Sequence, residues 1–319
     1  MTVALALLGY ALLLSTVGAN ALNRADWVDR APRLGIAAWQ ALSASVILAI
    51  VLGGIALMIP TGSLGQSLAE LLDACGAAIR AQYDNPGGNI GSTIGGLLAL
   101  GIVGRATFCL AREVVVAARS RRRQLDTLAL IGRQAPDLDA LIVDHDSPAA
   151  YCLPGRDRQI VLTSAAVSAL TADQLQAVLA HERAHLRGRH HLVLAGAQGM
   201  QRAFPFVLCF RHARRNVGRL VEMLADDQAG RRCPRLTIAA ALVALAASSV
   251  PPAALSAGGP TALARVQRLA APAQPLGLIR TTIGGLLVLA AFAVPFAVSA
   301  VPALAAASAN YCPVEFPAS

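Results

Sequence analysis

The chain has 319 residues, of which 55% are apolar and only 14% are charged. Because soluble domains usually carry about 25% charged residues, this composition excludes an ordinary soluble enzyme and a disordered chain, and it predicts a membrane protein. The formal net charge of +9 comes without an aromatic-rich basic helix or a finger-type metal spacing, so we expect no direct binding to nucleic acid.

Four apolar stretches are long enough to span a bilayer, which requires about 20 residues. They cover residues 3–22, 34–60, 89–111 and 279–304. The first has the length of a secretory signal, but arginines follow it rather than precede it, so we expect a retained helix. Arg105 lies in the third stretch, where a packed or snorkelling side chain is the simplest interpretation.

The distribution of charge predicts how these helices are oriented. The net charge of +9 comes entirely from residues 112–278, whereas the loop at residues 61–88 contains one arginine and three acids. By the positive-inside rule, residues 112–278 face the cytoplasm, and the loop and both termini lie outside. The predicted domains are residues 1–111 with three transmembrane helices, a cytoplasmic domain at 112–278, and residues 279–319 with the fourth helix and a short extracytoplasmic tail. We therefore expect a mainly α-helical, multi-pass protein of the inner or plasma membrane.

Several smaller features concern contacts made by the membrane-facing parts. Arginines at positions 119 and 121–123 follow the third stretch, and we expect them to contact anionic membrane lipids. The six cysteines have no metal-type spacing, and Cys75 and Cys312 are the one pair on the oxidising side that could form a disulfide. Small residues at 91–95 are typical of helix packing and are compatible with a homodimer, without fixing the oligomeric state.

Residues 112–278 are long enough for a single core, and their pattern predicts helices and short strands. Thr171 followed by Gln174 is a capping box, which predicts a helix that begins there. Pro, Gly and Asp residues separate two β-rich runs, which predict a small antiparallel sheet. In chain order, the predicted elements are a helix at 124–133, strands at 141–143 and 160–162, and helices at 171–187, 213–230 and 261–269.

The helix at 171–187 contains the sequence HERAH at positions 181–185. His181 and His185 are four residues apart and therefore lie on one helical face, where their imidazoles can share one tetrahedral Zn²⁺ at about 2.0–2.1 Å. Glu182 is placed as the general base of HExxH metalloproteases is placed. The pattern predicts a zinc site and disfavours the alternative, a helix with unrelated surface histidines.

A catalytic zinc needs a third protein ligand and an open position for water. Glu222 on the helix at 213–230 is the best candidate, with Asp226 one turn later on the same face. We expect Asp226 to accept the second ring N–H of a ligand histidine and to fix its tautomer. An acidic pair at this spacing is usually a solvated helix face, but acids are scarce in this chain and the pair follows the HExxH motif.

The pairing of the two histidines with Glu222 also bears on residues 192–210, an apolar stretch in which Arg202 is the one charged residue. A membrane crossing there would place His185 and Glu222 on opposite sides of the bilayer, where they could not bind one metal. We therefore predict a buried or interfacial helix at these residues. Residues 236–250 are short of a full span and are predicted to lie in the core of the middle domain.

Further segments around the motif carry a family resemblance. They are YCLPG at 151–155, IVLT at 160–163 and QAVLAHE at 176–182, continued to His185. These segments resemble the HExxH-plus-Glu membrane metallopeptidases, or gluzincins. The Arg-rich stretch after His185, the break at Phe204 and the helix carrying Glu222 are more similar to the BlaR/MecR antirepressor branch than to the HtpX/Ste24 branch.

The resemblance implies a cytoplasmic α+β gluzincin-type zinc peptidase domain between the third and fourth membrane helices. It implies His181, His185 and Glu222 as zinc ligands, Glu182 as general base and Asp226 as an outer hydrogen-bond partner. It also implies cleavage of a cytoplasmic BlaI/MecI-type repressor in a signalling response such as an antibiotic response. BlaR/MecR sensors add a penicillin-binding domain with a Ser-x-x-Lys nucleophile, whereas this sequence has no Lys. Direct β-lactam sensing is therefore not expected, and the activating signal is not identified.

Two other functions are compatible with the sequence. One is an HtpX/Ste24-like peptidase for quality control or processing of membrane proteins. The other is a non-catalytic scaffold stabilised by zinc, which is disfavoured because structural zinc usually has four protein ligands and no adjacent base. For a peptidase, a strand around residues 160–163 is expected to hold an extended substrate by β-addition. Candidates for stabilising the oxyanion are His190, His191, His212, Tyr151 and nearby arginines.

Overall fold

The structure is a computed structural model that describes residues 2–58, 90–155, 158–248 and 255–309. The described part is mainly helical with one small sheet. The loop at 61–88, Cys75 and Cys312 lie outside the described residues, so the proposed disulfide stays a prediction.

Among the described residues, four helices are long and apolar enough to cross a membrane, judged by length and composition. They match the four predicted stretches and indicate a multi-pass membrane protein. The first is built from α1 (Thr2–Leu13), a π-helical segment (Leu14–Gly18) and α2 (Ala19–Asn23). The short helix α3 (Trp27–Arg30) precedes the second span, α4 (Pro32–Met58). The third span is α5 (Ile90–Ile131), and the fourth is α12 (Leu278–Ala309).

The third span differs from the prediction. It does not end at residue 111 before a separate helix at 124–133; α5 is one continuous helix of 42 residues. The intervening segment, including the arginines at 119 and 121–123, contains neither Gly nor Pro, and arginine is a good helix former. The helix therefore continues to Ile131, and Gly132 begins the first strand.

The sheet has four strands in the order β1-β2-β4-β3: β1 (Gly132–Ala135), β2 (Ala140–Val143), β3 (Ala150–Leu153) and β4 (Gln159–Thr163). The predicted antiparallel sheet was wrong in one pairing, because β2 and β4 run parallel while β1 and β3 pair antiparallel with their neighbours. The reason is that β4 is the most deeply buried strand, with Val161 and Leu162 fully buried. It takes a central position between β2 and β3, where both of its faces are covered.

In the described part of the middle of the chain, six α-helices follow the sheet: α6 (Ser164–Ala169), α7 (Ala172–Arg187), α8 (His190–Ala203), α9 (Leu208–Ala229), α10 (Arg235–Ser248) and α11 (Leu255–Ala270). The capping box is confirmed, because the Gln174 amide N–H donates to Thr171 Oγ1 at 3.3 Å and Gln174 Oε1 accepts from the Thr171 N–H at 3.0 Å. Helix α8 has 14 residues and ends before Phe204, which is too short for a span. The predicted single helix at 192–210 is instead divided between α8 and the start of α9, with a break at residues 204–207, and neither α8 nor α10 has the length of a span.

Two hydrophobic cores fix the helices that carry the motif. Helix α9 packs against the second span, where Phe210 and Leu220 join a buried cluster around Trp39. Helix α7 packs against the sheet and α10 through a cluster that includes Leu162 and Leu179. Each of the two helices is thus held by its own core, and the two helices also contact each other.

Candidate metal centre

Three predicted ligands come together between α7 and α9. His181 and His185 lie one turn apart on α7, and their Nε2 atoms are 3.1 Å from each other. The Glu222 carboxylate on α9 lies 3.5 Å from His181 Nε2 and 3.6 Å from His185 Nε2. Within the described residues these three side chains form a potential metal site, with their ligand atoms all within 4.8 Å of one another.

The spacing of these atoms fits a tetrahedral zinc ion. Ligands at about 2.0–2.1 Å and tetrahedral angles place neighbouring donor atoms about 3.3–3.4 Å apart. The histidine nitrogens are 3.1 Å apart, and each lies close to that distance from one Glu222 oxygen, at 3.5 Å from Oε2 for His181 and 3.6 Å from Oε1 for His185. Two imidazoles and one carboxylate are also the donor set of a catalytic zinc site with one open position. The residues therefore fit the predicted metal.

Asp226 occupies the outer position predicted for it. Its Oδ1 lies 2.9 Å from His181 Nδ1, and its side chain is only 1% exposed. With Nδ1 on the side of Asp226, the Nε2 atom of His181 lies toward His185 and Glu222, where it is available as the ligand atom.

Glu182 lies beside the three ligands rather than among them. It lines a cavity of about 200 Å³ together with His181, Glu222 and Arg265. Burial raises the pKa of the Glu182 carboxyl, which also accepts a hydrogen bond from the Cys152 thiol on β3. A carboxylate with a raised pKa is a stronger base than an exposed one, which suits proton transfer near neutral pH.

The surroundings also set the protonation of the ligands. Burial opposes charge on His181, but hydrogen bonds to Asp226 and Glu222 outweigh it and raise its pKa to about 9. Burial lowers the pKa of His185 to about 4. Burial favours a neutral Glu222, but the hydrogen bond from His181 and the charge of Arg265 lower its pKa. Glu222 is therefore ionised and His185 neutral at pH 7, as metal ligands must be, whereas His181 is protonated without a metal and would release that proton when a metal binds.

Comparison with protein-family models also points to a metallopeptidase. Residues 116–216 match the model of Peptidase family M48. The matched region runs from the second half of α5 into α9 and includes the HERAH sequence, but it ends before Glu222. No curated protein and no solved structure matches the chain.

The match supports the coarser part of the resemblance, which is a membrane-type zinc metallopeptidase of family M48. It does not extend to the BlaR/MecR branch. The M48 match and the metal-binding geometry agree on the same helix, because His181 and His185 lie inside the matched residues.

Arg265 on α11 is the site residue that the sequence analysis missed. It donates to both oxygens of Asp226 at 2.7 and 2.8 Å, and its Nη1 lies 3.0 Å from Glu222 Oε2. The guanidinium thus balances two buried carboxylates. No motif identifies it, since it belongs to a Pro-, Gly- and Ala-rich part of the sequence and reaches the site through tertiary packing.

The suggested oxyanion residues lie in different places. His190 contacts the ligand histidine, with its Nδ1 3.1 Å from His185 Nδ1. Tyr151 follows Ala150, which lines the cavity, and precedes Cys152, which contacts Glu182. Because side chains alternate along a strand, Tyr151 points to the opposite face. His212 instead lies near Trp39, with ring centroids 6.4 Å apart.

Proposed function

We propose that this protein is an integral-membrane, zinc-dependent endopeptidase. The observation that carries the proposal is the convergence of His181, His185 and Glu222 from two helices, with Glu182 beside them. The M48 match over residues 116–216 supports the same reaction class. A structural zinc site would be expected to have four protein ligands and no adjacent base, so the scaffold function is disfavoured.

The chemistry is hydrolysis of a peptide bond. When bound by these ligands, zinc supplies Lewis-acid polarisation of the scissile carbonyl and lowers the pKa of water. Glu182 takes a proton from the attacking water as the water oxygen adds to the carbonyl carbon. The C–N bond then breaks, and Glu182 delivers the proton to the leaving amine. Asp226 and Arg265 hold His181 and Glu222 in place during the reaction.

Strand β3 is the element that supports substrate binding best. The expectation that residues 160–163 hold the substrate is wrong, because this segment lies in β4, which is paired with β2 on one side and β3 on the other. Strand β3 is at the edge of the described sheet, and its Ala150 lines the site cavity. An extended peptide added to the free edge of β3 would pass the Glu182 carboxylate.

The cavity supports a preference for an apolar residue next to the scissile bond. Apart from the charged and metal-binding side chains, its walls are formed by apolar residues of α7, α10 and β3, among them Val178, Ile238 and Ala241. Burial of a leucine-sized side chain stabilises a complex by about 1.5–3 kcal/mol. We therefore expect cleavage beside Leu, Ile, Val or Phe.

The proposed substrate is a cytoplasmic transcriptional repressor of BlaI/MecI type, and the proposed location of the site is the cytoplasmic side of the inner or plasma membrane. The charge distribution supports this side, since residues 112–278 hold the whole excess of arginine. The second candidate is a quality-control or processing peptidase for membrane proteins, because the M48 match supports a membrane peptidase without confirming the BlaR/MecR branch.

A substrate trap tests these proposals. The Glu182→Gln chain is expected to retain bound substrate that the wild-type chain releases as products. Capture of one DNA-binding repressor, found truncated only in cells with the wild-type chain, supports repressor cleavage. Capture of many membrane proteins supports the quality-control function. No trapped protein and no peptide hydrolysis by the zinc-loaded wild-type chain, with chelator-treated protein as control, would overturn the peptidase proposal.

A further inference from the structure

Helices α8 and α9 form a hairpin that packs against the second and third spans. At the end of α8, the Ala203 carbonyl accepts a hydrogen bond from Arg105 Nε of α5 at 2.5 Å. One turn earlier, a Cβ added to Gly199 would lie 3.1 Å from Leu110 Cα, so the two helix backbones approach closely, as small residues allow in membranes. We call residues 204–207, which connect α8 to α9, the hairpin tip.

The contact with Arg105 places the hairpin tip at the level of the apolar part of α5. Arg105 precedes Arg112, where the charged part of α5 begins, by seven residues, or about 10 Å along the helix axis. A helix that ends at this depth leaves carbonyl groups that water cannot reach, so they need donors from the protein. The guanidinium of Arg105 supplies one of them, which accounts for a charged residue inside the third span.

The second span gives the same level. The His212 ring on α9 lies beside Trp39, with ring centroids 6.4 Å apart, and Trp39 is six residues, or about 9 Å, beyond Arg33 at the start of α4. Farther along α9, Leu220 lies next to Gly35, so α9 runs from the hairpin tip back toward the charged start of α4. Because α4 and α5 pack antiparallel, both spans measure depth from the same side of the membrane.

Phe206 is the side chain of the hairpin tip that points outward. It is 94% exposed, whereas Phe204 packs on Phe210 with ring centroids 5.5 Å apart. A single exposed phenylalanine is ordinary on a surface that faces water. This one lies at the level of the apolar spans, where acyl chains rather than water surround the helices. Acyl chains are therefore the partner that fits Phe206.

The arginines of the hairpin point back toward the charged end of α5. Arg202 on α8 forms an ion pair with Glu113, which belongs to the charged part of α5. The pocket that contains Glu113 is also lined by three arginines of α9, which are Arg211, Arg214 and Arg215. Long arginine side chains commonly extend in this way from an apolar level to the headgroup level. The hairpin thus combines an apolar tip with charged groups held at the membrane surface.

We propose that the hairpin is re-entrant: its tip enters the lipid leaflet beside the charged ends of α4 and α5, and Phe206 contacts acyl chains. The hairpin returns to the side from which it entered, so His185 and Glu222 remain on one side of the membrane. Both of its arms are continuous with the candidate metal centre, because α8 follows α7 after two residues and α9 carries Glu222. Lipid contact at the tip therefore anchors that centre to the membrane.

The test places a tryptophan at the hairpin tip of the full chain, reconstituted in vesicles of phosphatidylcholine and phosphatidylglycerol. Emission of the Phe206→Trp variant is compared in ordinary vesicles and in vesicles whose acyl chains carry bromine, which quenches tryptophan on contact. The matched control is Leu130→Trp, because Leu130 is 87% exposed and lies about 27 Å beyond Arg112 along α5. Trp27 and Trp39 are present in both variants, so the difference between the variants reports the added side chain.

The emission added by Phe206→Trp is expected at a shorter wavelength than the emission added by Leu130→Trp. It is expected to be lost in brominated vesicles and to persist when iodide is added to the water. The emission added by Leu130→Trp is expected to show the opposite behaviour. Loss of the Phe206→Trp emission to iodide, without loss in brominated vesicles, would overturn the proposal.

A photo-crosslinker at the same two positions identifies what covers the hairpin tip. Benzoylphenylalanine in place of Phe206 is expected to form lipid adducts when intact membranes are irradiated, as detected by mass spectrometry. The same group in place of Leu130 is expected to form none. Adducts at position 206 with another protein or with a second copy of this chain, and none with lipid, would also overturn the proposal.

Discussion

Replacing Asp226 with Asn is the most direct test of how the metal centre is organised. The substitution keeps the shape of the side chain but removes the charge that lies 2.9 Å from His181 Nδ1. Loss of such an outer hydrogen-bond partner typically costs 10- to 100-fold in metal affinity. That factor corresponds to about 1.4–2.7 kcal/mol of zinc-binding free energy. We therefore expect Asp226→Asn to raise the Kd for zinc by 10- to 100-fold.

The neighbouring residue gives a matched control. Asp227 accepts two hydrogen bonds from Arg268, at 2.7 and 2.8 Å, so it also ties α9 to α11. No contact joins Asp227 to the ligand histidines among the described residues. Asp227→Asn should therefore loosen the same pair of helices while leaving zinc affinity unchanged.

The assay is competition for zinc between the purified protein and a chelator of known affinity, with the folded state of each variant checked by circular dichroism. Equal zinc affinity in Asp226→Asn and the wild type would refute the role given to Asp226. Equal losses in Asp226→Asn and Asp227→Asn would show that the contact between α9 and α11, rather than the contact to His181, controls the site.

Three further outcomes follow from the local chemistry. The Glu182→Gln variant should bind one zinc as tightly as the wild type but hydrolyse peptide at least about 100-fold more slowly. Metal analysis and a peptide-cleavage assay check these two results. Cleavage at the wild-type rate would show that Glu182 is not the general base. Burial and the nearby Glu182 raise the pKa of Cys152 to about 12, so the thiol stays protonated at pH 8. An alkylating reagent should therefore label Cys152 far more slowly in the native chain than in the urea-unfolded chain, as measured by mass spectrometry. Equal labelling rates would contradict this. Thr171→Ala removes the N-cap of α7 and should lower the free energy of unfolding by about 1 kcal/mol. Thr127→Ala, at an exposed position, is the control. A urea titration in which both variants match the wild type would show that the cap does not stabilise the protein.

The sequence predicted the features that depend on local pattern. The spans, the capped helix at Thr171 and the ligands His181 and His185 follow from apolar length, cap chemistry and helical spacing, and each of them is local in the chain. Glu222 and Asp226 were found because a zinc ion needs a third ligand and an outer partner. The structure brings these four side chains together, as coordination chemistry led us to expect, and their roles at a metal stay predictions.

The features that the sequence did not predict depend on distant packing. Arg265 reaches Asp226 from α11, 39 residues later, and no local pattern marks that contact. The parallel pairing of β2 and β4 follows from which strand takes the centre of the sheet, which is decided by burial on both faces. The continuation of α5 through the arginines at 121–123 was missed because a charged run after a span was interpreted as the start of a new element.

The continuous helix α5 has a mechanical consequence. At 1.5 Å per residue, its 42 residues form a rod about 63 Å long, and the described part of the rod ends directly at β1. A tilt of about 5° around the middle of such a rod moves each end by about 3 Å, which is comparable to a hydrogen-bond length. A rigid rod of this kind would transmit a displacement at its far end to the sheet beside Glu182 and the candidate metal ligands.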